Sequence, residues 1–203
     1  MERIITYIDG FNLYFGLRDR GWQRYYWLDM CKLSENILLP DQQLVHTKYF
    51  TSRIANPPAK RKRQSNYLEA LGTLSNLTIY YGHYQHYPHR CRNCGNSDIV
   101  PHEKMTDVNI AVELLTDAFQ DNFDTALLVS ADSDLIGPIQ SVKRLFPHKR
   151  VVVGFPPARV SGALRREASA CFSIGRGKIA GSLLPLQIQK PDGYILSCPQ
   201  RWR

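Results

Sequence analysis

The sequence has no apolar run of the roughly 18 or more residues that a helix needs to cross a bilayer, which argues against a membrane protein. It has no glycine-rich phosphate loop after its first strand-like run, because "DGFNLYFG" (Asp9 to Gly16) lacks the glycines that would wrap a diphosphate. That absence weakens a nucleotide-transferase reading, the other use of an Asp-x-Asp pair. No Gly-x-Ser-x-Gly elbow and no cysteine beside an obvious base are present, so nothing suggests covalent catalysis. Cysteines number only five and are scattered, an odd set that makes a disulfide framework unlike this chain. There is no internal repeat. The opening "MERIITYIDG" runs straight into a strand without a signal-peptide pattern, so a cytoplasmic location is expected.

What is present is a globular composition, 43% hydrophobic and 22% charged, in 203 residues, enough for one domain with a real core. Lysine and arginine exceed aspartate and glutamate by 26 to 18, a net charge of +8. Such a surface favours polyanions, nucleic acid foremost, although a protein can be basic without binding one.

Near-continuous apolar, β-branched runs predict strands buried on both faces: Arg3 to Asp9, Leu44 to Thr51, Leu77 to Tyr84, Thr125 to Ser130, Arg150 to Phe155 and Ala170 to Ile174. Helical patterns fall between them. One follows Pro57 and Pro58, with Leu68, Leu71 and Leu74 on one face; another repeats Val108, Val112, Leu115 and Phe119; two more are "SDLIGPIQSVKRLF" and "VSGALRREA". Pro138 must lie in the first turn of its helix or kink it. The alternation predicts an α/β fold with a mainly parallel sheet, and in such sheets ligands bind beyond the carboxyl ends of the strands. Residues 82–103 form a connection of about 20 residues, long for a compact domain and read as functional, metal-stapled or mobile. The division expected is a domain over 1–183 with that inserted loop, and a C-terminal arm or hairpin over 184–203 that turns at Pro191-Asp192-Gly193.

The strand ends carry acids. Asp9 closes the first strand, where Gly10 lets the chain turn into a helix; Asp132 and Asp134 follow the strand ending at Ser130; Asp107 opens a helix after Thr106. Each has an ordinary reading as a helix cap or first-turn residue, with Asp9 accepting from the amides near Asn12 and Leu13, and Thr106 as the plainer cap of its helix. Acids at separate strand ends on one sheet edge, however, repel until a divalent cation sits among them, and oxygen-only ligands suit Mg²⁺ or Mn²⁺. Such an ion can activate water against a phosphodiester, with Asn12 and Ser130 placed to orient the water or bond a phosphate oxygen.

"YIDGFNLYFGL", "EKMTDVNIAVELLTDAFQDNFDTALLVSADSDL" and "RVVVGFPP" resemble the NYN domain in its LabA-like branch, a PIN-like nuclease fold, over roughly residues 3 to 175. The resemblance implies a Rossmann-like, PIN-type three-layer sandwich with strand order 3-2-1-4-5. It places the family's signature acid and amide on Asp9 and Asn12, its helix acid on Asp107, and its Ser-x-Asp-Ser-Asp motif on Ser130, Asp132, Ser133 and Asp134. It further implies a Mg²⁺ or Mn²⁺ site formed by Asp9, Asp107, Asp132 and Asp134, and metal-dependent cleavage of RNA leaving a 5′-phosphate and a 3′-hydroxyl.

Lys60 to Arg63 begin a helix, a position poor for cations unless phosphate is near; Arg61 and Arg63 are expected to meet substrate, against the plainer reading of a solvated charge run. Lys104 is a candidate phosphate contact beside Asp107. Arg90, Arg92, Arg159, Arg165, Arg166 and Arg176 could extend a polyanion track, with Tyr14, Tyr84 and Tyr87 as stacking partners for single-stranded bases or as packing residues. Cys91 and Cys94, among His83, His86, His89 and His102, resemble half a structural Zn²⁺ site, but the second ligand pair is missing. The expected partner is single-stranded or structured RNA, with a homo-oligomer left open. The alternative to a ribonuclease is a non-catalytic RNA-binding regulatory module on the same fold.

Overall fold

The computed structural model describes the backbone of residues 1–90, 94–95 and 97–203, with side chains for the same residues apart from 86–90 and 97–103. In chain order its elements are β1 (Glu2–Asp9), α1 (Gly10–Asp19), α2 (Met30–Ile37), β2 (Gln42–Ser52), α3 (Pro58–Leu71), β3 (Leu77–Arg90), β4 (Ser97–Lys104), α4 (Thr106–Phe119) and β5 (Thr125–Val129). They continue with α5 (Ile136–Leu145), β6 (Arg150–Phe155), α6 (Gly162–Glu167), β7 (Ala170–Ser173), α7 (Arg176–Ala180), β8 (Gln187–Gln189) and β9 (Ile195–Ser197).

Seven strands form one sheet in the order β4-β3-β2-β1-β5-β6-β7, parallel throughout except for the antiparallel edge pair β3–β4. Without β4 and the far edge strand β7, this is the expected 3-2-1-4-5 order of a Rossmann-like sandwich. The apolar runs fall where they do because β1 and β5 lie in the middle, covered on both faces: β5 is buried at every position and β1 from Ile4 onward. Alternate residues serve opposite layers. Ile4 and Ile8 pack with Leu13, Trp27, Leu68 and Leu127 on the side of α1, α2 and α3, while Ile5 and Tyr7 pack with Ile110, Leu128, Ile139 and Leu164 on the side of α4, α5 and α6. Each fully buried side chain of this size contributes about 1.5–3 kcal/mol.

The chain runs from β1 to one side of the sheet and returns at β5 to build the other, so the strand order reverses between β1 and β5. Ligands of such sheets bind beyond the carboxyl ends of the strands at this reversal, here after Asp9 and Val129.

Four expectations change. The described residues of the long connection over 82–103 include a strand pair, because β3 continues to Arg90 and β4, from Ser97, returns antiparallel, with His83 opposite Lys104. On α4 the buried face is Ile110, Leu114 and Ala118, while Val108, Val112 and Phe119 are 51%, 54% and 80% exposed. Both stripes have helical spacing, and packing against the sheet selects the other one. Thr106 is the first helical residue rather than the cap of α4; the cap position is Met105, in the left-handed region at φ 80°. Gly10 is not in that region, and close packing requires it: a Cβ there would meet the Tyr49 hydroxyl at 2.6 Å and the Phe50 carbonyl oxygen at 2.7 Å. Pro138 lies in the first turn of α5, where its missing amide costs nothing.

A buried charge network ties α4 to the sheet. Lys48 on β2 donates to Glu113 Oε2 at 2.7 Å and Asp117 Oδ2 at 2.5 Å, and the hydroxyls of Tyr7 and Tyr80 donate to the same two acids. Burial pushes the Lys48 ammonium down, but its bonds to Asp117 and Glu113 outweigh that and leave it raised overall. Beyond α7, β8 and β9 pair as a hairpin with Gly193 at φ 85° in its turn. The tail joins the core of the sandwich through Leu184, Leu196 and Cys198, and Trp202 packs against it.

Candidate functional site

Asp9 is the last residue of β1 and the N-cap of α1. Its Oδ1 accepts the Asn12 amide at 3.0 Å, and its Oδ2 accepts Asn12 Nδ2 at 2.7 Å and the Ser130 hydroxyl at 3.0 Å. The capping reading and the site reading thus meet in one residue. Ser130, fully buried just after β5, also accepts the Asp132 amide at 3.0 Å, and Asp132 Oδ1 accepts the Asp134 amide at 3.0 Å, capping the short 3₁₀ turn Ser133–Leu135. Asn12 Oδ1 accepts the Ala131 amide at 3.4 Å. The loops after two neighbouring parallel strands are therefore joined to each other by side chains.

Asp9 is 2% exposed. Burial pushes its carboxyl above the usual carboxylate range, the bonds from Asn12 and Ser130 pull it back in part, and the nearby Asp132 charge pushes it up again. Two acids from separate strand ends therefore feel each other's charge at this edge. Asp132 is half-buried, with no hydrogen bond to its Oδ2 among the described residues, and Asp134 and Ser133 are exposed beside it.

The expected four-acid cluster is not gathered: among the described residues no three His, Cys, Asp or Glu side chains come together as a metal-holding group. Asp107 lies in the first turn of α4, half-buried. The donor set still fits a hard cation held by Asp9 and Asp132, since Mg²⁺ commonly takes one or two carboxylates and fills its other positions with water and phosphate. It does not fit a closed cage made of protein alone.

Of the expected basic contacts, Lys104 is exposed at the end of β4, Arg61 is exposed on α3, and Arg63 is half-buried on α3, lining a cleft beside α1. Arg165 and Arg166 are exposed on α6, and Arg176 donates to the Tyr25 hydroxyl at 3.1 Å. Cys94 is an exposed free thiol. Cys91, Arg92 and the side chains of His86, Tyr87, His89, Arg90 and His102 lie outside the described residues.

Arg159, which the sequence offered only as one arginine of a polyanion track, stands at the site. Its Nη1 lies 3.5 Å from Asn12 Oδ1, its Nη2 donates to Asp19 at 3.3 Å, and its Nε is buried with no hydrogen-bond partner among the described residues. Ala158 just before it has φ 59°, a strained conformation for a residue with a Cβ and one that recurs where a side chain must be aimed. Nothing in the sequence "GFPPARV" gave a sign of where its arginine would point.

A match to the NYN domain family spans residues 3–175. The chain is 27% identical over 176 residues to the 6-hydroxy-3-succinoylpyridine 3-monooxygenase HspA of Pseudomonas putida, covering 70% of this chain but only 55% of that protein. It also resembles the crystal structure of a protein of unknown function from Vibrio parahaemolyticus, with a TM-score of 0.56 at 20% identity, covering 90% of this chain and 96% of the other. That likeness concerns the fold alone. With the family match running from the first strand through the last strand of the sheet, the chain belongs to the NYN domain family, part of the PIN-like nuclease superfamily.

Proposed function

We propose that the protein is a metal-dependent ribonuclease of the LabA-like branch that hydrolyses RNA phosphodiester bonds at the carboxyl ends of β1 and β5. The observation that supports this most is the buried Asp9 carboxylate at the point where the strand order reverses, raised by burial and by the charge of Asp132. A group in that condition gains by a cation, and Asp9 with Asp132 would hold Mg²⁺ or Mn²⁺. Such an ion supplies charge neutralisation at phosphorus and a more acidic water.

The chain's own residues do the positioning. Asn12 holds Asp9 through two donors and braces the loop after β5 through Ala131. Ser130 keeps Asp9 and Asp132 in register. Arg159 brings a guanidinium next to Asn12, suited to pairing with phosphate oxygens by two parallel hydrogen bonds.

A non-catalytic RNA-binding module is the second reading. What favours it is that both Asp9 oxygens already accept bonds from Asn12 and Ser130, and that no three-ligand group forms among the described residues. Labelled single-stranded and structured RNA, incubated with Mn²⁺, Mg²⁺ or EDTA and with Asp132→Asn alongside, separates the two. The nuclease reading expects cleavage that needs the metal and falls by about 100-fold or more in the variant. Binding that survives the substitution, with no cleavage by either protein, establishes the module instead.

A further inference from the structure

We propose that the cleft beside Asp9 is a base-binding subsite that takes one unstacked nucleobase of single-stranded RNA, with the C-terminal segment as one wall. The inference rests on the RNA-directed reading of the Asp9 edge and adds to it where the strand lies.

The cleft has a volume of about 450 Å³ and begins at Gly10, the residue after Asp9. Its walls come from α1, from α3 and from the last residues of the chain. Tyr14 and Tyr26 have ring centroids 4.9 Å apart, and Trp202 stands edge-on to Tyr26 at 5.6 Å. Trp202 is fixed in turn against Trp27 at 6.4 Å and Tyr67 at 6.1 Å, so the tail is a built wall. Tyr14 is 37% exposed, and Tyr26 and Trp202 are half-buried, leaving ring surface open to the cleft.

The charge of the lining selects the occupant. Arg18, Lys60, Arg63 and Arg201 line the cleft and no aspartate or glutamate does so among the described residues. Lys60 and Arg63 are three residues apart on α3 and share a helix face. Aromatic surface flanked by cations, with the amides of Gln23 and Asn56 also in the lining, is the chemistry that binds a base by stacking while its backbone follows positive charge. Arg18 is already paired with Asp19 at 3.2 Å, so the selecting charges are Lys60, Arg63 and Arg201: an apolar partner would leave those three cations unused, and a small anion would leave the aromatic row unused. The cleft adjoins Gly10, so a base held there places a neighbouring phosphate toward Asp9 and Asp132.

The test is fluorescence anisotropy in EDTA with labelled 10-nucleotide oligouridylate, oligoadenylate and an abasic ribose-phosphate chain of the same length. The proteins are the full chain and its Tyr14→Ala, Tyr14→Phe, Trp202→Ala and Lys60→Ala/Arg63→Ala variants, each also assayed for cleavage with Mn²⁺. The expected result is a preference of about five- to a hundred-fold for base-bearing over abasic chains. Tyr14→Ala and Trp202→Ala should each remove most of it with abasic binding unchanged, and Tyr14→Phe should keep it. The double charge variant should weaken all three ligands and reduce the salt slope by about 1.4. Equal binding of base-bearing and abasic chains, or a preference untouched by both aromatic variants, overturns the subsite. So does a mononucleotide that binds the cleft while RNA shows no preference for bases. Cleavage that persists without base preference sinks the subsite and spares the nuclease; base preference without cleavage does the reverse.

Discussion

The Ser130 hydroxyl donates to Asp9 Oδ2 at 3.0 Å while its oxygen accepts the Asp132 amide, so one fully buried side chain fastens the loop after β5 to the end of β1. Ser130→Ala removes a hydrogen bond to a buried carboxylate and leaves the Asp132 amide without its acceptor. The expected loss is about 1.5–3 kcal/mol, read as a lower urea midpoint with an unchanged slope. On the ribonuclease reading, RNA cleavage should also fall beyond what the unfolded fraction explains, because Asp9 and Asp132 lose their common register.

Lys48 holds two acids in a nearly dry setting, with its side chain 10% exposed and that of Asp117 5% exposed. Lys48→Met should destabilise by about 3–5 kcal/mol, since it strands the charge of Asp117 beneath α4. Adding Glu113→Gln and Asp117→Asn should recover most of that loss. Chemical denaturation of the single and triple variants checks both outcomes, and a triple variant as weak as the single one would refute the charge explanation.

Gly10 and Gly137 predict opposite effects of the same substitution. Gly10→Ala pushes a methyl group against Tyr49 and the Phe50 carbonyl and should cost about 1–3 kcal/mol. In Gly137→Ala, on α5, nothing lies within 4 Å of the new Cβ, and about 0.5–1 kcal/mol of stability should be gained from helix propensity. Thermal melts of the two proteins, compared with the parent, decide the signs.

The Arg3 guanidinium and backbone amide hold the Asp124 carboxyl down to about 2, below its unfolded value of about 3.9. Between those values the unfolded chain binds more protons than the folded one, so stability rises with pH across the window. The contribution is complete above about pH 5 and is lost progressively as pH falls through 4 toward 2 and below. Asp124→Asn should flatten acid unfolding in that range. Because the Arg3 and Asp124 side chains are 39% and 44% exposed, the difference should shrink in about 1 M salt, which titration with and without salt will show.

Six strands and most of the helices between them were legible in the sequence because their signals are local: a buried strand needs only consecutive apolar residues, and a helix only its own period; α2 was not among them. The acids at strand ends were legible for the same reason, since an aspartate directly after an apolar run lies at the sheet edge wherever the rest of the chain goes. "QHYPHR" and "SDIVPHEK" were not legible as strands, because prolines and polar residues on an edge pair give no apolar run, and only the pairing of one segment with the other makes them β.

On α4 the sequence by itself determined a helix, read with its stripe at Val108, Val112, Leu115 and Phe119, and the tertiary structure decided which face is buried, because the choice depends on the sheet lying beneath Ile110 and Leu114. The Lys48 network, the aim of Arg159 and the aromatic cleft were settled the same way. Each joins residues far apart in the chain, as when Trp202 meets Tyr26, and one chain's order of residues records nothing of such distances until the sheet brings the segments together. The residue types of the proposed nucleic-acid site were written along the chain; which of them share a surface followed from the order of the strands.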